Sequence, residues 1–355
     1  MFIYLLAYGI LPFIVFGSLK KVKRSENLDC DFFSQTQTTN LKGISILLIV
    51  VHHFTIKMTN PLFMKPFLNV GFLGVAIFFF VSGYGLMSSY LEEKSHLNNF
   101  FSKRVARVYI PFLVTNIAVG IASIFMMNAN YSITDIISTS IFLKGITTGQ
   151  DFWYINATIL FYIIFFLTLK FLKPTKAIKA MFIYSIIYIF ACLTQGKEIY
   201  WYNTAFVFPL GVLSAYRKET MLNIIKNYYN KLFIICSVMF VITFLISYKE
   251  SGSKYIFDTI TGILFMFLIM LLSYKLNLKS RLLTLIGSIS FEIYLVHQFI
   301  INLFYDKYNT NQSLSFYVLL FIIVGVSFLL NMVTKRICEK VDSLSNDKTS
   351  KNVMK

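Results

Sequence analysis

Long apolar runs separated by short polar connections set the rhythm of this chain. Runs of spanning length lie at about 2–19, 41–58, 69–90, 107–128, 152–170, 178–195, 200–216, 232–248, 255–274, 283–304 and 314–334. The connections between them are short and hold Lys or Asn. A backbone inside lipid must satisfy its own hydrogen bonds, so each run is expected to be a helix. The fold class expected is therefore an all-α polytopic integral membrane protein with about eleven transmembrane helices.

Composition agrees, with 57% hydrophobic and 14% charged residues in 355. No connection is long enough for a soluble domain, so any chemistry belongs inside the bundle. The charge of +17 then reads as topology rather than as a nucleic-acid footprint. With the N-terminus outside and the C-terminus in the cytoplasm, 26 of the 33 Lys and Arg fall in cytoplasmic connections. The first run has no basic residue ahead of it and KKVKR behind it, which suits a retained anchor and not a cleaved signal. Cys30, Cys192, Cys236 and Cys338 have no metal-ligand spacing, so neither a metal site nor a disulfide is expected. Residues 338–355 read as a short charged tail, expected to be disordered.

Four constellations carry candidate chemistry. In LKGISILLIVVHHF, Lys42 and His53 stand eleven positions apart, about three turns and ~16 Å of rise, on one helix face. Lys42 would mark the cytoplasmic surface and His53 would lie deep. A neutral imidazole there is a candidate general base, since ionisable groups at that depth are costly unless used. A histidine bonded to a neighbouring helix is the bland alternative; for His53 function is favoured, and for His52 the two readings stand level.

Ser82 and the glycines of GFLGVAIFFFVSGYGLMSSY permit close helix approach, which packing alone explains. Lys103, Arg104 and Arg107 gather in FFSKRVARVYIPF, with Pro111 as an expected kink. They can hold phosphate or serve as ordinary cytoplasmic charge, and physics alone favours the second. GSISFEIYLVHQF carries Glu292, which must find a partner on another helix or sit in water, and His297, expected in the outer half. Asp151 and Trp153 could edge an outer opening.

In this order LKGISILLIVVHHF, GVAIFFFVSGYGL, FSKRVARVYIPF, DFWYINATILFY and GSISFEIYLVH resemble the acyltransferase-3 family of bacterial membrane acyltransferases, over residues 38–337. Residues 1–37 would be an extra helix and linker, and 338–355 the tail. The resemblance implies an enzyme that takes an acyl group, usually acetyl, from cytoplasmic acyl-CoA to a hydroxyl of a surface or exported carbohydrate or glycolipid. It would be a multi-pass protein of the cytoplasmic membrane, with no metal and no nucleic acid. Its partners would be acyl-CoA, the glycan acceptor, membrane lipids and other glycan-biosynthesis proteins.

The family's Arg, ten residues, then His falls on Lys42 and His53, with Lys replacing Arg; its basic motif falls on Arg104 and Arg107, and its FFxxSG-like motif on Phe79, Phe80, Ser82 and Gly83. The implied donor site is Lys42, Lys103, Arg104 and Arg107. The implied catalytic set is His53 and His52, with Ser82 or His297 polarising the carbonyl. Direct transfer and an acyl-His53 intermediate both stay open. The alternative is a translocator of a polysaccharide or lipid-linked sugar, against which the sequence shows no pair of broken helices in matching halves.

Overall fold

The computed structural model describes residues 8–9, 11–21, 32–58, 60–97, 100–141, 144, 146, 152–249, 254–308 and 312–353. Lys23, Arg24, Cys30 and Asp151 lie outside the described residues. The chain is nearly all helix. In order it forms α1 Leu11–Gly17, strand β1 Leu19–Lys21, α2 Gln35–Ile56, a 3-10 turn Leu62–Asn69, α3 Gly71–Glu92, α4 Phe100–Met127 and α5 Ile133–Ile141. Then come α6 Trp153–Phe171, α7 Pro174–Thr194, α8 Val207–Tyr216, α9 Lys218–Lys249, α10 Lys254–Lys275, strand β2 Leu276–Leu278, α11 Arg281–Ser288, α12 Ser290–Tyr308 and α13 Gln312–Val353. The helices form two compact groups, one from residues 1–94 and 163–290, the other from 95–162 and 291–355.

Among the described residues eight helices are long and apolar enough to cross a membrane, and nine if α11 and α12, broken at Ile289, count as one span. The sequence pattern predicts eleven; the two runs not counted are the one at 200–216 and the first, of which residues 1–7 and 10 lie outside the described residues. The run at 200–216 contains a short 3-10 turn and a stretch of turns, leaving only the ten residues of α8 as regular helix. It still keeps level with α10: Tyr202 stacks edge-on against Tyr255, Asn203 bonds Asp258, and Ser214 bonds Met270. The first run is similar. Tyr8 donates its hydroxyl to Phe63 O at 2.5 Å, while ten residues later Ser18 O accepts from Lys279 N, although α1 itself is seven residues long.

These contacts define two ends of the first group. At the ribbon end β1 pairs antiparallel with β2, Leu19 opposite Leu278, and Asn40 near the start of α2 donates to Leu278 O at 2.7 Å. At the other end, which carries the histidines, lie the turn Leu62–Asn69, Lys254 and Asp258. Helices α3 and α8 cross at Gly83 and Gly211, where a Cβ on either would strike the carbonyl of Phe208 or Phe80, so these sites demand glycine.

In the second group Phe112, Ile155 and Leu295 make a core to which Tyr109, Phe152, Ile159 and Tyr294 add. Helix α5 folds back along α4. Asn116 holds it, donating to Thr139 Oγ1 and Ser140 Oγ and accepting from Ile146 N at 3.0 Å. The expected disorder of the tail is corrected: α13 continues as helix to Val353. After Gly325 the sequence has neither Gly nor Pro, and Lys335 pairs with Glu339 one turn on at 4.0 Å.

Candidate active site

Ser34 caps α2 by accepting from Gln37 N, and the apolar face that follows buries Leu41, Ile46, Ile49, Val50 and Phe54. This burial fixes where the polar residues go. Lys42 is partly buried near the ribbon end, and His52 and His53 are partly buried near the other.

The His52 Nδ1 lies 3.1 Å from Phe67 O. A carbonyl only accepts, so Nδ1 carries the proton. The ring meets His53 edge-on, with centroids 5.1 Å apart. Its other face rests on Gly71, where a Cβ would penetrate the imidazole. His52 is thus engaged with the neighbouring turn, which is the bonding role set against catalysis for this residue.

Helix α3 runs antiparallel to α2. Ser45 donates to Gly74 O at 2.6 Å, and Gly71 touches His52. Ser82 lies eleven residues from Gly71, about 16 Å farther along α3. The structure therefore brings the two histidines together and places the partly buried Ser82 on the Lys42 side, where Phe33, just ahead of α2, packs on Phe80 and Tyr84.

In the second group Lys103, Arg104 and Arg107 lie on the first two turns of α4. The Lys103 side chain is outside the described residues. Arg104 is partly buried and Arg107 exposed. Burial pulls the Arg104 guanidinium below its ordinary pKa; Tyr162 opposes the fall and Arg107 adds to it. A guanidinium starts so high that it keeps its charge. Pro111 sits inside α4, which continues through it.

His297 is 2% exposed, its Nδ1 against Ile293 O at 3.1 Å and Tyr294 O at 2.8 Å on its own helix. Glu292 has the expected partners on another helix: Asn331 Nδ2 at 3.0 Å and Thr334 Oγ1 at 3.2 Å donate to it from α13.

Sequence reasoning missed Asp258. It is 2% exposed on α10, accepting from Ser247 Oγ and, at 3.2 Å, from Asn203 Nδ2. Ser247 in turn accepts from Asn69 Nδ2 at 2.9 Å, and Asn69 Oδ1 accepts from Lys254 Nζ at 2.9 Å. The available signal was Lys254 four residues before Asp258 at the mouth of an apolar run.

A family model described as an acyltransferase domain matches residues 38–332. The chain belongs to the acyltransferase-3 family. It is also similar to a protein of Acidianus two-tailed virus, ORF330, named provisionally as an acetyltransferase. The two are 22% identical over 306 residues, covering 81% of this chain and 88% of the viral one. No solved structure matches. With its long apolar helices, this family member is a multi-pass membrane acyltransferase.

Proposed function

We propose that this acyltransferase moves an acetyl group from cytoplasmic acetyl-CoA to a hydroxyl of a carbohydrate or glycolipid on the far side of the cytoplasmic membrane. The observation that carries the reading is helix α2, within the family match, which has a cation near one end and a paired histidine near the other.

Orientation follows from charge. The ribbon end carries Lys20, Lys21, Lys42, Lys275, Lys279 and Arg281, and α7 and α9 begin there with Lys173, Lys176, Lys179, Lys218 and Lys226. The histidine end carries only Lys57, Lys65, Lys197, Lys249 and Lys254. Positive charge stays inside, so the ribbon end of this group would face the cytoplasm.

By the family resemblance, the cations suited to the donor's nucleotide phosphates are Lys42 on α2 and, separately, Arg104 and Arg107 on α4. The pantetheine arm would pass the level of Ser82 and bring the thioester toward His53. The acceptor oxygen attacks the thioester carbon as His53 takes its proton, the C–S bond breaks, and the proton returns to the departing thiolate. Products are an ester and free CoA. A first attack by the His53 nitrogen, followed by transfer from acyl-imidazole, balances equally well.

The test is incubation of protein-containing membranes with radiolabelled acetyl-CoA. The expected result is CoA release with label appearing in the glycan or glycolipid fraction. Absence of any acetyl-CoA consumption would overturn the reading.

A further inference from the structure

We propose that Asn69, Lys254 and Asp258 are positioning residues that hold the turn Leu62–Asn69 against the histidine pair. The inference rests on the acyl-transfer reading and deepens it, because it assigns to that reaction a device outside the residues discussed so far.

The turn reaches His52 twice. Phe67 O accepts from its Nδ1 at 3.1 Å, and Gly71, two residues past the end of the turn, supports the ring face. A turn of this kind does not hold itself. It opens at Leu62 with φ of 39°, a left-handed conformation that costs a branched residue energy and persists only where the surroundings impose it. Leu62 and Phe63 are exposed, and the apolar anchor of the opening is the fully buried Met64.

The restraint comes at the closing residue. Asn69 is 7% exposed, and its carboxamide is used from both atoms, accepting from Lys254 Nζ and donating to Ser247 Oγ, each at 2.9 Å. Ser247 passes the chain to Asp258, and Asn203 donates to the other carboxylate oxygen at 3.2 Å. Three segments thus meet at one buried carboxylate, and Asn69 joins them through Ser247. A carboxylate is costly to bury, and one that accepts from two side chains offsets part of that cost while fixing geometry. The geometry it fixes is the position of Phe67 O, and through it the imidazole that meets His53 edge-on.

The second support is Tyr8, which donates to Phe63 O and sets its ring edge-on to Phe67 at 5.4 Å. The segment ahead of the family match therefore braces the same turn.

The experiment measures CoA release from acetyl-CoA in membranes carrying Asn69→Ala, Lys254→Met or Lys254→Arg, alone and combined with His52→Ala. A misplaced reacting group costs between about tenfold and a hundredfold in rate, so kcat should fall by that much for Asn69→Ala and Lys254→Met while KM for acetyl-CoA stays within about twofold. Lys254→Arg, which keeps the donor, should restore most of it. In the His52→Ala background the same substitutions should add little, since both act through one contact. Wild-type rates, or losses that multiply with His52→Ala, would overturn the proposal.

Amide hydrogen exchange over residues 60–71 gives a readout independent of activity. Asn69→Ala should speed exchange in the turn while the rest of the protein keeps its protection, and unchanged exchange would sink the idea. If wild-type membranes consume no acetyl-CoA, the enzymatic reading fails but the exchange result still decides whether the network holds the turn.

Discussion

Helices α2 and α4 both carry groups on which the proposed transfer depends, yet they are restrained in opposite ways. Helix α2 is tied to its surroundings along its length: Ser34 caps it, Asn40 bonds Leu278 and Thr284, Ser45 bonds Gly74 O, and His52 bonds Phe67 O. Helix α4 is held largely by packing: Phe100 at its start is buried edge-on against Tyr162, Phe112 enters a core farther along, and Asn116 holds α5. Its first turns leave Arg104 half-buried and Arg107 in the open. A base must meet one proton from one direction, so it is built on a fixed element. A phosphate site can use long, adaptable cations, because charge complementarity tolerates small displacements that proton transfer does not.

If that contrast is right, substitutions on the two helices should fail in different parameters. The largest effect belongs to His53. Its replacement by Ala should remove between about a hundredfold and ten-thousandfold of kcat, as loss of a general base does, with KM for acetyl-CoA little changed. Next is Arg104→Ala, which deletes a charge-assisted contact worth about 1.5–3 kcal/mol and should raise that KM between about tenfold and a hundredfold with a smaller change in kcat. Isothermal binding of CoA would show the same loss without turnover. Should Arg104→Ala instead reduce kcat alone, the assignment of α4 to donor binding would have to go.

Gly71→Ala sharpens the comparison from the rigid side. The added methyl must displace the His52 ring, so stability should fall by about 1–3 kcal/mol and kcat with it. A thermal unfolding scan in detergent separates the two. The smallest effect is expected from Lys42→Arg, which restores the family residue. KM for acetyl-CoA should fall by no more than about fivefold, equivalent to ~1 kcal/mol, as the planar fork replaces a point charge. A rise in KM would argue that Lys42 is fitted to something other than a phosphate.

Much of the helical architecture was legible because lipid allows few alternatives to a helix. Hydropathy cannot see where a crossing stops being regular. The 200–216 run is apolar throughout, but Asn203 turns inward to Asp258, and the backbone reaches α8 through turns. The charges of the tail suggest disorder, yet it carries neither Gly nor Pro to break the helix that enters it from the membrane span.

Within the site, the Lys42 to His53 spacing was readable from helix periodicity. The environment of His52 was not, since its partner is a backbone carbonyl fifteen residues on. Glu292 drew notice from its place in a run, whereas Asp258 sits one turn inside a polar connection and looked like an interfacial residue. Only the folded chain shows Ser247 and Asn203 converging on it.

The most direct test is a single-turnover assay with radiolabelled acetyl-CoA on wild-type protein and His53→Ala, both shown to be folded by the same unfolding transition. The account predicts CoA release and label transfer by the wild type, and intact CoA binding with no transfer by the variant. Full transfer by His53→Ala would contradict it, and would move the search for the base to another residue.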